Sequence, residues 1–211
     1  MNNECEAVHN LARSLERQCF PFDESNIPSN GIYILFEKGE EGHVGERIVR
    51  VGTHTGANQL CSRLKQHFIN NNKDRSIFRK NIGRALLNQN GDPFLKFWEL
   101  DLTTRKARKN YSSLIDFGYQ KSIEEQVSQY IQCNFTFCVF EVNSKDERLE
   151  IESKIISTVS MCVGCNPSKT WLGNFSPKHK IIESGLWLVN ELYKTPLDTF
   201  GIEHLSRLVK G

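Results

Sequence analysis

The sequence predicts an α+β fold, with a small antiparallel or mixed three-stranded sheet, flanking helices and a large, basic, helical insertion. Three observations predict it. Two β-rich hexapeptides, GIYILF (31–36) and RIVRVG (47–52), lie close together and read as an antiparallel pair. A third β-rich run, FTFCVFEV (135–142), follows far downstream as a candidate neighbour. Between and around these runs, apolar residues recur at helical spacing.

The elements follow in order. Residues 4–18 make an amphipathic helix on Val8, Leu11, Ala12 and Leu15. PFDESNIPSN (21–30) is a loop of turn formers, and the charged, Gly-rich EKGEEGHVGE (37–46) is expected to be a long hairpin loop. A helix from about Gln59 to Asn70 carries Leu60, Leu64 and Phe68 on one face. Arg63 and His67 lie four apart on it, off that apolar face. Residues 76–89 repeat Ile77, Phe78, Ile82, Ala85 and Leu86 as a second helix, while residues 90–118 give no assignable period. Ser122 with Glu125 reads as a capping box opening a helix over 122–132. Residues 145–160 form another helix, 166–177 a loop, and 181–193 are partly helical.

The 211 residues fit one large domain, and 38% hydrophobic content with 13 Phe allows a real core. No apolar run is long enough to span a membrane, and the polar N-terminus lacks the core of an export signal. Net charge is only +2, but it is uneven: from Cys61 to Lys121, Lys and Arg outnumber Asp and Glu more than two to one. Such a stretch suits either a basic face for polyanions or an ordinary solvated surface. Seven cysteines, an odd number at irregular spacing, are expected to be reduced thiols in the cytoplasm. Cys162 and Cys165 form a CxxC, but no second pair has the spacing a zinc site would want.

Four features then fall in a telling order. Gly31-Ile32-Tyr33 opens the first strand, and Arg50-Val51-Gly52 closes the second. Arg63 and His67 sit on the next helix, and Glu152 lies in LEIESKIIST. The chain resembles the GIY-YIG nuclease superfamily here. RIVRVGTHT, LCSRLKQHF, RSIFRKNIGRALL, LEIESKIIS and SKTWLGNFSP together resemble a subgroup of stand-alone GIY-YIG proteins. The resemblance implies a catalytic core at about 30–70 and 134–177, an insertion at 71–133, an N-terminal helix at 4–18 and a helical extension at 178–211. All of it would form one domain.

The resemblance implies Mg²⁺- or Mn²⁺-assisted hydrolysis of DNA phosphodiesters, with DNA as partner and no membrane. Glu152 would be the metal's one protein ligand, since waters and phosphate can complete a hard cation's shell. Arg63 would stabilise charge growing on the phosphate, and Tyr33 would take a proton from water. A free phenol with a pKa near 10 needs positive charge beside it to do so. His67 would orient water, share the proton or touch phosphate. Gly31, Arg50, Gly52, His54 and Asn166 are supporting candidates, with Glu150 and Asn174 as rivals of Glu152 and Asn166. Arg50 stands where the second motif normally has tyrosine. Arg75, Ser76, Arg79, Lys80 and Arg84 are candidate contacts along the DNA backbone. A restriction-like and a repair role suit the same residues. The alternative is a catalytically impaired nucleic-acid-binding module of the same fold. The sequence leaves monomer and homodimer open.

Overall fold

The computed structural model describes residues 2–210. Its centre is strand β2 (Gly31–Glu41), because that strand is paired along both edges. On one edge it meets β3 (Glu46–Gly52), and on the other β4 (Phe135–Glu141), both antiparallel. A short β1 (Gln18–Cys19) pairs with β4, giving the order β1-β4-β2-β3. The sheet therefore has four strands, not three. Two residues are too few to show an alternating period, which is why β1 escapes a reading of the sequence.

Side chains alternate across β2, and each face has its own core. Tyr33 and Leu35 face α2 (Leu60–Phe68), α3 (Ile77–Gln89) and α6 (Phe117–Asn134). Ile32, Ile34 and Phe36 face α1 (Asn2–Ser14), α7 (Lys145–Ser160) and α9 (Thr199–Lys210). Apolar burial of this kind contributes roughly 1.5–3 kcal/mol per large side chain. Between α3 and α6 lie two short helices, α4 (Leu95–Trp98) and α5 (Arg105–Tyr111); α8 (His179–Ser184) precedes α9. Among the described residues no helix is long and apolar enough to cross a membrane.

Three boundaries differ from those read in the sequence. The first helix ends at Ser14 rather than residue 18. α6 begins five residues before Ser122, capped by Asp116, whose carboxylate accepts from Tyr119 N at 2.9 Å; the Ser122 hydroxyl donates to Tyr119 O inside the helix. The expected long hairpin loop is mostly strand, since β2 runs to Glu41 and the turn occupies only 42–45.

The reason is two inward carboxylates. Glu37 accepts from Tyr130 Oη at 2.5 Å, Trp171 Nε1 at 2.7 Å and Trp187 Nε1 at 2.8 Å. Glu40 pairs with Arg47 at 2.6 Å and accepts from the Ser168 backbone and hydroxyl. With these partners, residues that look like loop can be buried strand. Burial still pushes the Glu37 carboxyl upward against its three donors. Replacing Glu37 by Leu orphans those donors, each worth roughly 1–3 kcal/mol when buried unpaired. Urea unfolding of Glu37→Leu is expected to show a loss of more than about 2 kcal/mol; a loss below about 0.5 kcal/mol would contradict this account.

Candidate active site

Tyr33 and Gly52 are register partners across the β2–β3 pair. A Cβ on Gly52 would lie 2.2 Å from the Tyr33 hydroxyl oxygen, so only glycine leaves room for the phenol. At Gly31 a Cβ would lie 2.2 Å from Phe140 O, and glycine lets β4 come close there. The Tyr33 hydroxyl meets His67 Nε2 at 2.8 Å, and His67 Nδ1 meets Ser76 Oγ at 2.7 Å. Ser76 caps α3 and also accepts from Arg79 N at 3.2 Å. Arg50 Nε reaches the Tyr33 hydroxyl at 3.4 Å, while its Nη1 donates to Trp187 O. Because the Tyr33 oxygen also receives the Arg50 N–H and the Ser76 oxygen the Arg79 N–H, we assign Tyr33 O–H as donor to Nε2 and Nδ1–H as donor to Ser76.

Tyr33 and His67 are both fully buried, at 0% exposure. Burial first, then the cations of Arg63, Arg50 and Arg79, hold the His67 imidazole well below its ordinary pKa. It is therefore neutral at physiological pH, and in the assigned tautomer its lone pair is on Nε2. His67 thus lies on the inward side of α2 with Leu60, Leu64 and Phe68, and parts company with Arg63. A helix of 3.6 residues per turn allows this, because position 67 lies about 20° from Leu60 on the wheel, with Arg63 about 40° farther out. Arg63 stays at the rim, half-buried, donating to Gln66 Oε1 at 3.0 Å and Arg75 O at 3.2 Å.

Two clefts open beside this buried chain. One, of about 350 Å³, is lined by Thr53, His54, Gln59 and Arg63. The other, of about 430 Å³, is lined by Arg50, Asn81, Glu152, Trp187 and Glu191. Thr53 joins them, for its backbone N–H donates to Glu152 Oε1 at 3.1 Å. Burial raises the Glu152 carboxyl's pKa, opposed by Arg50, the Thr53 amide and Arg63. Among the described residues nothing donates to its second oxygen, Oε2. A half-buried carboxylate with one open oxygen on a cleft suits a hard divalent cation that keeps several waters. Its neighbour Glu191 is tied to Ser153 and Lys194. Rival Glu150 is exposed and paired with Lys154.

A family model described as GIY-YIG domain matches residues 6–211. The chain belongs to the GIY-YIG domain family. Membership points to nuclease-type chemistry. Comparison with curated proteins and with solved structures returned no significant match.

Other residues expected at the GIY-YIG site are tied into local structure, although His54 also lines the Arg63 cleft. His54 accepts from Gly31 N at 3.4 Å and donates through Nδ1 to Gly56 O at 2.6 Å, so it braces the loop after β3 with both nitrogens engaged. Burial lowers its pKa. Asn166 is exposed beyond the end of α7, donates to Val163 O, and lines neither cleft. Asn174 braces its own loop through Ser168 O and Lys169 O.

The expected basic track over 75–84 is exposed only at Arg75; Ser76, Arg79, Lys80 and Arg84 are buried. Arg79 holds Glu124 at 2.8 Å, Arg84 holds Glu99 at 2.6 Å, and Lys80 donates to Glu99 O at 2.9 Å. Acids distant in sequence neutralise them, which charge counting along the chain does not reveal. Exposed cations sit instead on α5, at Arg105, Lys106, Arg108 and Lys109, and Arg108 shares a cleft with Arg75. Trp187 and Glu191, in the expected extension, line the Glu152 cleft, and no sequence signal marked them.

Two outcomes follow from these environments. Arg79→Met, which strands buried Glu124, is expected to cost about 3–5 kcal/mol in urea unfolding; a near-neutral result would refute the buried pair. For His67 the unfolded imidazole, with a pKa near 6.5, binds more protons than the folded one, so its contribution is complete above that value and falls away as pH drops. His54 acts in the same direction. The stability difference between the parent and His67→Gln should therefore shrink below about pH 6.5, by up to roughly 1.4 kcal/mol per pH unit. A pH-independent difference would show that His67 is not held neutral.

Proposed function

We propose that this GIY-YIG protein is a metal-dependent DNA endonuclease. The observation that carries the reading is the meeting of Glu152 and Arg50 on one cleft, joined through Thr53 to Arg63, directly over the Tyr33–His67–Ser76 chain. Glu152 would hold Mg²⁺ or Mn²⁺ through its open oxygen. When bound, the ion would act as a Lewis acid toward the phosphodiester. Arg63 and Arg50 would orient the phosphate and offset the charge that grows on it.

The proton path runs through Tyr33. Beside the Arg50 guanidinium the phenol would release its proton to solvent, while neutral His67, held by Ser76, fixes the position of the ring, and the phenolate then takes a proton from the attacking water. Arg50 stabilises the phenolate, and a phosphate in the cleft would draw this guanidinium outward and admit water to Tyr33. Arg75, Arg108 and the other α5 cations would follow the DNA backbone and fix its position without reading sequence. The reading places the enzyme in the cytoplasm, in a restriction-like, defence or repair setting.

The complete burial of Tyr33 and the arginine at position 50 favour a second reading, an impaired nucleic-acid-binding module. Plasmid, linear and branched DNA incubated with Mg²⁺ or with chelator separates the two. Cleavage is expected only with metal. Glu152→Ala should abolish product and leave DNA affinity within about twofold, while Arg63→Ala and Tyr33→Phe should slow cleavage about 10²-fold or more. DNA binding without any metal-dependent product would establish the second reading. Charge removal across α5 should flatten the slope of log affinity against log salt by about 0.9 for each phosphate that is no longer neutralised.

A further inference from the structure

The CxxC of Cys162 and Cys165 has no partner pair in sequence, yet it has partners in space. α1 brings up Cys5 and His9, one turn apart, and the hairpin turn brings up His43. Cys5 Sγ lies 3.6 Å from Cys165 Sγ, and His43 Nε2 lies 3.2 Å from Cys162 Sγ. Ligand atoms of Cys5, His9, His43 and Cys165 all lie within 4.8 Å of one another. A tetrahedral zinc with bonds of about 2.3 Å to sulfur and 2.0–2.1 Å to nitrogen sets its ligand atoms roughly 3.5–3.8 Å apart. The Cys5–Cys165 separation of 3.6 Å and the His43–Cys162 separation of 3.2 Å lie close to that spacing.

The turn itself gives a second, independent observation. His43 and Val44 both have positive φ, 51° and 55°. Two-residue hairpin turns of this kind favour Asn-Gly, and a β-branched residue there costs of order 1–3 kcal/mol. Arg13 clamps the same turn from behind, donating to Gly42 O, His43 O and Glu46 O. A strained turn held in this way aims one imidazole at three thiols.

We propose that Cys5, His43, Cys162 and Cys165 bind one zinc ion as a structural site. His9 stands just outside the ligand set, because Nδ1 donates to Cys5 O at 2.9 Å and Nε2 accepts from Ile48 N at 3.1 Å. Binding replaces the thiol protons, which pass to solvent. The ion would fasten three distant segments: the start of α1, the hairpin turn and the end of α7. Along β2 the turn lies some eight or more residues from Tyr33, about 25 Å or more, so this site is separate from the proposed nuclease centre.

The test uses the full chain, purified with reductant and without chelator. Elemental analysis should find about one zinc per chain. Cobalt(II) titrated into the metal-free protein should give a thiolate charge-transfer band and tetrahedral visible bands. Cys5→Ser and Cys165→Ser should reduce zinc to less than about a tenth of the parent value. If these variants fail to fold, His43→Asn at the partly exposed turn should weaken zinc at least about tenfold while circular dichroism stays native. His9→Asn should keep the zinc. Removing zinc should lower the thermal midpoint. A reduced protein that takes up neither zinc nor cobalt, a Cys5–Cys165 disulfide in the native chain, or zinc lost from His9→Asn but kept by His43→Asn would each overturn the proposal.

Discussion

Every part of the molecule is indexed to the two-residue repeat of β2. The strand is paired on both edges and covered on both faces, so each side chain has one permitted direction. Odd positions send Tyr33, Leu35 and Glu37 toward α2, α3 and α6; even positions send Ile32, Ile34 and Phe36 toward α1 and α7. A slip of one residue would place a carboxylate among the aliphatic groups of α7 and withdraw the phenol from His67. No local compensation exists for such an exchange, which makes the register the condition for both the core and the site.

That repeat was readable over GIYILF and RIVRVG, and so was the helical spacing of Leu60, Leu64 and Phe68 and of the 145–160 segment. What escaped were features whose cause lies far away in the chain. Glu37 and Glu40 look like loop residues until Trp171, Trp187, Arg47 and Ser168 arrive to satisfy them. Arg79 and Arg84 look like a surface track until Glu124 and Glu99 meet them. Burial of an ion pair depends on three-dimensional proximity, and neither spacing nor composition carries that information.

The candidate site divides in the same way. Glu152, Arg63, Tyr33 and His67 were identifiable as residue types in a family order. Their arrangement into layers was not. His67 lies beneath the surface as an uncharged acceptor, Arg50 covers Tyr33, and Glu152 and Arg63 border the adjoining clefts. The substitution of arginine for the usual tyrosine at position 50 changes the character of the cleft wall, setting a fixed positive charge between the buried phenol and solvent. The Cys162–Cys165 pair shows the same limit: its neighbours come from α1 and from a turn more than a hundred residues earlier.

The indoles of Trp171 and Trp187 pack with centroids 5.0 Å apart and planes tilted by 58°, and both point their N–H groups at Glu37, while Trp187 N also joins β3 through Val49 O at 2.8 Å. The polypeptide beyond residue 177 is consequently no appendage. Trimming the chain at the limit of its apparent catalytic core would remove one ring of this pair, strip a donor from an interior carboxylate and uncover the outer edge of the sheet. The smallest autonomous version of this fold must reach past Trp187, whatever the motif boundaries suggest.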